Sequence, residues 1–344
     1  MKRPLSLFLT VMMALSLLSG CGYKPESASS PYPGSDQSDA SAPNQRTEVN
    51  LMVLSGPTGV GAAKLLHDNE LDASSNHYNV TVATDNSEVT DALINKDADI
   101  AAIATNAAAA LYAQNDGAIQ VLAVNTLGVL YILEKGDTVH SLADLAGKTL
   151  YCPSNTKGAN PEHILNHLLS KTNMDQVTVN IEWLTPQEIT AKITSSDAGI
   201  CMLPVPAATA LMVQDSDVRQ AVSLSEAWED LEGASLPMGC VVVRTAFAEE
   251  HPQAVEAFLE EYRQSIRYMN DPANLTDAAA LVAGYGIAPN AKVAEKAIPL
   301  CSLTFLTGQE MREVLEGYYG ILFQAEPKSI GGGLPYDSFY YGLD

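Results

Sequence analysis

Residues 56–64 are rich in glycine, and their spacing invites comparison with a phosphate-binding loop. Gly56 and Gly61 have the required separation, but Ala62 occupies the position where such a loop needs its lysine. A dinucleotide-binding turn would need a third glycine at Lys64 and fails as well. What remains is a glycine-rich turn that leads into a helix. The free N–H groups and the dipole at such a helix start attract an oxyanion or the polar edge of a ligand.

His163 and His167 are four residues apart on a predicted helix, a spacing that can place two imidazoles on one metal ion. The same pattern is typical of a solvated helix face with leucines on the opposite side. We therefore predict neither a metal site nor a cofactor. No Ser-His-Asp arrangement or pair of carboxylates has a spacing that distinguishes it from a chance occurrence, so the chain is not predicted to be an enzyme.

The amino terminus has the pattern of an export signal. Lys2 and Arg3 precede an apolar run over residues 5–18, which is too short for a resident membrane helix. The run ends in Leu-Ser-Gly-Cys, which resembles the bacterial lipobox. The resemblance implies that residues 1–20 are removed and that Cys21 is lipidated at the outer face of the cell membrane. The alternative is a plain secretory signal with an incidental cysteine.

Residues 21–47 follow the signal as a predicted flexible tether. Residues 22–47 are rich in Ser, Pro, Ala and Asp and have almost no large apolar side chains, so they cannot build a core. Without Lys2 and Arg3 the chain keeps 17 basic and 41 acidic residues, a net charge near −24. Nucleic acid is therefore excluded as a partner.

Four further cysteines lie in apolar runs without a Cys-X-X-Cys spacing: Cys152, Cys201, Cys240 and Cys301. The pattern predicts buried free thiols rather than metal ligands. One disulfide is compatible with an exported protein, but the sequence does not assign its partners.

The rest of the chain alternates short β-branched runs with helical patterns, which predicts an α/β fold. The predicted strands of a first series cover residues 49–54, 80–83 and 99–104, with helices over 60–67 and 88–95. A second series has strands over 148–152, 177–183 and 199–203. An amphipathic helix is predicted over residues 254–268.

The two series form an internal repeat at an offset of 100 residues. Residues 88–111 and 188–211 share nine identities in 24 positions, and both run from a helix through an Asp-Ala turn to a strand and an Ala-rich helix. Chance similarity between two α/β units remains the alternative. The preceding loops, residues 55–59 and 154–158, also correspond.

The connections predict two lobes. Strands over 119–124 and 129–133 are too close for a crossover helix, so the chain is expected to pass between lobes there and to return near Pro237. One lobe then comprises residues 48–126 and 238–344, and the other comprises 127–237. Loops at the carboxyl ends of the strands would face a ligand between the lobes.

Several segments together resemble the substrate-binding proteins of ABC transporters of the nitrate, sulfonate and taurine type, a group that includes binders of a thiamine-pyrimidine precursor. The resemblance covers most of the chain from Val49. The resemblance rests on residues 55–61, 98–102 leading to Asn106, 125–128, 142–149, 203–206, 247–258 and 331–335. The loop over residues 156–160 departs from the Gly-Lys-Gly form of nearby members, which weakens the assignment of second-lobe contacts.

The resemblance implies a type II periplasmic-binding fold, with each lobe a mostly parallel sheet flanked by helices and two hinge strands between them. It further implies a monomer that captures a small solute in the cleft and delivers it to the permease and ATPase subunits of an ABC importer. Enzymes of thiamine-pyrimidine and menaquinone synthesis resemble the same fold and form the alternative. The export signal argues against them, because those reactions are cytoplasmic.

The predicted site draws on the loops at the strand ends. The expected ligand contacts are Ser55, Gly56, Thr58, Asn106, Thr126, Ser154, Thr156, Lys157, Gly158 and Pro204, and the expected hinge residues are Thr126, Leu127, Met238 and Gly239. Lys157 is the only basic residue among them. We therefore expect a small polar or anionic solute, a sulfonate, nitrate or pyrimidine precursor, held largely by backbone N–H groups and hydroxyls.

Overall fold

The computed structural model describes residues 46–172, 174 and 178–343, which contain two β-sheets flanked by helices. The predicted signal, Cys21 and the tether up to residue 45 lie outside the described residues. The first sheet has the strand order β11-β4-β10-β3-β1-β2. Its strands are β1 (Glu48–Leu54), β2 (His77–Ala83), β3 (Ile100–Ala104), β4 (Ile119–Thr126), β10 (Gly239–Arg244) and β11 (Leu303–Leu306).

The second sheet has the order β7-β6-β8-β5-β9. Its strands are β5 (Leu130–Lys135), β6 (Thr149–Pro153), β7 (Asn180–Leu184), β8 (Gly199–Pro204) and β9 (Val218–Ser223). Both sheets are mixed: four strands of each run in one direction, while β10 and β11 in the first sheet and β5 in the second run in the opposite direction. β10 runs antiparallel to β3 and β4 in the first sheet, and β5 runs antiparallel to β8 and β9 in the second.

Helices cover both sheets. They are α1 (Pro57–Val60), α2 (Ala63–Glu70), α3 (Asn86–Asn95), α4 (Thr105–Gln114), α5 (Asn160–Lys171), α6 (Pro186–Ser195), α7 (Ala207–Gln214), α8 (Leu224–Glu232), α9 (Thr245–Glu250), α10 (Pro252–Asn270), α11 (Leu275–Gly284), α12 (Ala291–Ala297) and α13 (Gly308–Ala325). Central strands such as β3 and β10 are buried almost along their whole length, as expected for a sheet with both faces covered. None of the helices in the described part of the chain is long and apolar enough to span a bilayer.

The predicted first helix is in fact two helices. We expected a single helix over residues 60–67, but α1 ends at Val60 and α2 begins at Ala63. The Gly61 carbonyl at the break accepts a hydrogen bond from Ser265 Oγ at 2.6 Å. A Cβ atom at position 61 would lie 3.0 Å from Ile266. α10 therefore packs closely against the turn at which the helix is interrupted.

The internal repeat is confirmed in the structure. In the first sheet the order is α3, β3, α4, and in the second it is α6, β8, α7, at the predicted offset. The predicted amphipathic helix is α10, whose Phe258 and Tyr262 are buried. The predicted strand over 177–183 is β7, which is described from Asn180 to Leu184.

The chain passes between the sheets twice. β4 ends at Thr126 and β5 begins at Leu130 in the other sheet, and the chain returns from α8 to β10. The two connections are hydrogen-bonded to their surroundings. Met238 N donates to Thr126 O at 2.9 Å, and Leu127 N donates to Ser302 O at 3.0 Å. A Cβ atom at Gly239 would lie 2.9 Å from the Thr58 side chain, so the returning strand passes directly beside α1.

Candidate ligand-binding site

A cavity of about 810 Å³ lies where strands of both sheets end. The first sheet contributes the residues that follow β1, β2 and β3, and the second contributes the ends of β6 and β8. Twenty residues line it: Leu54, Ser55, Gly56, Pro57, Thr58, Thr84, Asp85, Asn86, Ala104, Val129, Asn155, Pro204, Val205, Pro206, Met238, Ala283, Gly286, Ile287, Ala288 and Pro289. Its size and position fit a small-molecule site.

The turn between β1 and α1 forms one wall. Gly56 has a φ of 95°, in the region that favours glycine. Ser55 N donates to Ala83 O at 2.8 Å, and Gly56 N donates to Ile287 O at 3.0 Å. Gly59 is packed so tightly that a Cβ atom there would lie 2.1 Å from Leu54 O. The turn is thus closely packed, and its first two amide groups donate hydrogen bonds to neighbouring protein segments.

The start of α3 forms a second wall. Asp85 caps this helix, and its Oδ1 accepts hydrogen bonds from Ser87 N at 2.8 Å and from Glu88 N at 3.1 Å. The Ser87 hydroxyl, together with these backbone amides, lowers the pKa of Asp85. The Asn86 Oδ1 atom accepts a hydrogen bond from Ala104 N at 2.9 Å. This wall therefore presents an ionised carboxylate.

The second sheet contributes a wall that is mostly proline and valine. Pro204 and Pro206 have no N–H group, and Val205 N donates to Val129 O at 3.0 Å. Asn155 is exposed beside them and is the polar side chain that this sheet presents to the cavity.

The structure brings four of the ten predicted contact residues together on this cavity: Ser55, Gly56, Thr58 and Pro204. The predicted hinge residue Met238 also lines it. Asn106 lies instead on the second residue of α4, where its Nδ2 atom is 3.5 Å from Ser329 O. Thr126 is fully buried at the end of β4 and lies outside the lining.

The second predicted loop turns away from the cavity except at Asn155. Thr156 Oγ1 donates to Pro153 O at 2.7 Å, so its hydroxyl stabilises its own turn. Lys157 extends toward the ring of Trp183, with Nζ 5.9 Å from the ring centre. Ser154 and Gly158 are exposed outside the lining.

Sequence analysis did not select Asp85, Asn86, Asn155 or the segment 283–289. Asp85 is the second residue after β2, so the strand-end argument applied to the glycine-rich loops would have found it. Residues 283–289 span the end of α11 and the turn after it. They are about 80 residues from Pro204 and about 230 from Ser55 along the chain, and no sequence signal connects them to the site.

The histidine pair lies at another cavity, between α5, α8 and α13. His167 Nε2 is 2.8 Å from a carboxylate oxygen of Glu232, and the imidazole ring centre is 5.1 Å from that of Trp228. The hydrogen bond with His167 lowers the pKa of Glu232. The contact connects α5 to α8.

The four predicted thiols are buried and, within the described residues, form no disulfide. Burial raises the pKa of each of them, so these thiols are neutral core groups.

The two-sheet α/β fold is that of the periplasmic binding proteins. An ABC transporter from Parabacteroides distasonis is 22% identical over 86% of this chain and 98% of its own, with a TM-score of 0.71. The periplasmic aliphatic sulphonate binding protein SsuA from Escherichia coli is 14% identical over 88% of this chain and 94% of its own, with a TM-score of 0.67. A conserved Candida albicans gene product with the generic periplasmic binding protein fold is 14% identical over 85% of this chain and 92% of its own, with a TM-score of 0.53.

Residues 77–274 match the family model described as NMT1/THI5 like, and the chain belongs to this family. No curated protein matches it.

Proposed function

We propose that this chain is the lipid-anchored, extracytoplasmic solute-binding component of an ABC importer. The observation that carries the proposal is the cavity of about 810 Å³ at the strand ends of both sheets, beside the segment that returns to the first sheet at Met238. A similar protein, SsuA, is named as a sulphonate binding protein. Residues 48–126 with 238–344 would act as one lobe and 127–237 as the other, and the permease and ATPase subunits would be the partners of a monomer.

Binding is favoured over catalysis by the chemistry of the cavity. Among the described residues that line it, Asp85 is the one ionisable side chain. General acid and base catalysis usually needs two such groups with different proton affinities. The enzyme alternative therefore finds little support in this cavity.

A blocking variant tests the proposal. Asn155 and Ser154 are neighbours in one exposed turn, but only Asn155 lines the cavity. We expect solutes that co-purify with the unmodified protein, identified by mass spectrometry, to be lost from Asn155→Trp and retained by Ser154→Trp. Saturation at about a hundred times the dissociation constant should add roughly 2.7 kcal/mol to the free energy of unfolding. Equal retention by both variants would reject the cavity as the binding site.

Two further measurements address lobe closure and anchoring. Rotation about Thr126, Leu127, Met238 and Gly239 should reduce the radius of gyration in small-angle scattering when the solute is added.

Fatty-acid labelling should depend on Cys21 and be lost in Cys21→Ala. Label that persists in this variant would contradict the lipid anchor.

A further inference from the structure

The described lining of the cavity carries a negative charge and no positive charge. Asp85 is the single charged side chain among the described lining residues. Lys157, the basic residue expected at the site, lies outside the lining beside Trp183. The chain as a whole has a formal net charge of −22. Both the local and the overall electrostatic potential therefore favour a cation over an anion.

Many of the backbone amides on the cavity walls cannot donate a hydrogen bond to a solute. Four lining positions are prolines without an N–H group: Pro57, Pro204, Pro206 and Pro289. Several other lining amides donate to acceptors within the protein: Ser55, Gly56, Thr84, Ala104, Val205 and Met238. An oxyanion in this cavity would lose hydration and would depend largely on neutral side-chain donors such as Asn155 and Thr58 in exchange.

An acceptor, in contrast, is available. The helix-capping bonds of Asp85 all end on Oδ1. None of the described residues donates a hydrogen bond to its Oδ2 atom. A nitrogen that carries positive charge and N–H groups can form a charge-assisted hydrogen bond with such an oxygen.

We propose that the cavity selects an organic cation whose ammonium or amidinium nitrogen binds Asp85. This inference rests on the proposed solute-binding function and replaces the expected polar or anionic solute with a cationic one. The apolar side chains of the second-sheet wall and of residues 287–289 would contact the rest of the solute.

Three probes of one shape and different charge test this selectivity. Benzamidinium, benzamide and benzenesulfonate share a phenyl ring and are respectively cationic, neutral and anionic. In titration calorimetry with the full chain we expect benzamidinium to bind most tightly and benzenesulfonate most weakly. Because Asp85 is exposed and its charge is screened by water, Asp85→Asn should reduce the affinity for benzamidinium by about 3- to 5-fold and leave benzamide almost unchanged.

The variant is chosen so that folding is preserved, since Asn caps a helix as well as Asp does. Asp271→Asn is the matched control. Asp271 is exposed outside the lining, accepts a hydrogen bond from Ala273 N at 2.9 Å and loses the same charge. It should retain the affinity of the unmodified protein for benzamidinium.

Several outcomes would overturn the inference. They are tighter binding of benzenesulfonate, equal binding of all three probes, no binding of benzamidinium at its highest soluble concentration, and an Asp85→Asn affinity equal to that of Asp271→Asn. An anionic solute that co-purifies and is lost from Asn155→Trp would reject the cation while supporting solute binding. Retention of co-purified solute by Asn155→Trp would instead reject the proposed site itself.

Discussion

The two units of the internal repeat, residues 85–114 and 185–214, have the same helix-strand-helix order but different chemistry at their ends. Glu88 and Glu188 are identical between the units and both lie in the first turn of a helix. Glu88 accepts a hydrogen bond from Thr84 N at 2.7 Å, whereas Glu188 accepts one from Thr185 N at 2.8 Å. The N-cap of α3 is Asp85, whose carboxylate lines the cavity. The N-cap of α6 is Thr185, which lies outside the lining.

The strand ends differ in the same way. β3 passes directly into α4 at Ala104, whose amide is bonded to Asn86. β8 ends instead at Pro204, followed by Val205 and Pro206, which present apolar surface. A shared local fold thus allows one side of the cavity to be polar and the other apolar, because the difference depends on a few residues at the strand ends.

The largest expected difference concerns the two corresponding loops, residues 55–59 and 154–158, and their glycines Gly59 and Gly158. A Cβ atom at Gly59 would lie 2.1 Å from the backbone oxygen of Leu54, which cannot move without disrupting β1. We expect Gly59→Ala to lower the free energy of unfolding by about 3 kcal/mol or more. Gly158 has open space around it but a φ of 71°, so Gly158→Ala should cost about 1 kcal/mol. Urea unfolding measures both, and equal costs would contradict the comparison.

A smaller difference is expected for the carboxylate-arginine pair that each sheet contains. In the first, Asp99 Oδ1 accepts a hydrogen bond from the Arg244 side chain, and Asp99 Oδ2 accepts one from Asn50 N. Arg244→Ala leaves Oδ1 buried without that donor, so we expect a loss of about 3 kcal/mol. In the second, Glu134 pairs with Arg219, but both of its oxygens also accept hydrogen bonds from Thr138. Arg219→Ala should therefore cost only about 1 kcal/mol in the same urea assay.

The pH dependence of stability provides the control for that second pair. Burial would raise the pKa of Glu134, but the hydrogen bonds of Thr138 and Val139 and the charge of Arg219 lower it overall. A lowered folded-state pKa stabilises the protein above the unfolded value of about 4.3, and this contribution is lost as the pH falls. Glu134→Gln should therefore flatten the decline in stability on the acid side. An unchanged acid profile would contradict this assignment.

The smallest expected effect concerns the two helix caps. Thr185→Ala removes the cap and capping box of α6 and should cost about 1 kcal/mol, without a change in solute affinity. Asp85→Asn keeps the cap of α3 and should leave stability almost unchanged while lowering the affinity for a cation. Thermal unfolding with and without benzamidinium measures both quantities. A loss of solute affinity in Thr185→Ala would show that the second unit contributes to the site after all.

The sequence by itself determined the elements and their repetition. Runs such as residues 100–104 and 199–203 are apolar enough to predict buried strands, and the offset of 100 residues predicted two similar units, because hydrophobic periodicity is a local property. It also predicted Ser55, Gly56, Thr58 and Pro204 at the cavity, since the residues that follow parallel strands lie at one edge of a sheet.

Only the tertiary structure decided which of the loop residues line the cavity. Thr156 and Lys157 turn away because a hydrogen bond to Pro153 and a contact with Trp183 determine their directions. The segment 283–289 reaches the site through a packing arrangement that no local pattern encodes. The number of free hydrogen-bond donors in the cavity likewise depends on which amides already have partners. Such hydrogen bonds join residues far apart in the chain, as Gly56 and Ile287 are, so the sequence alone could not reveal them.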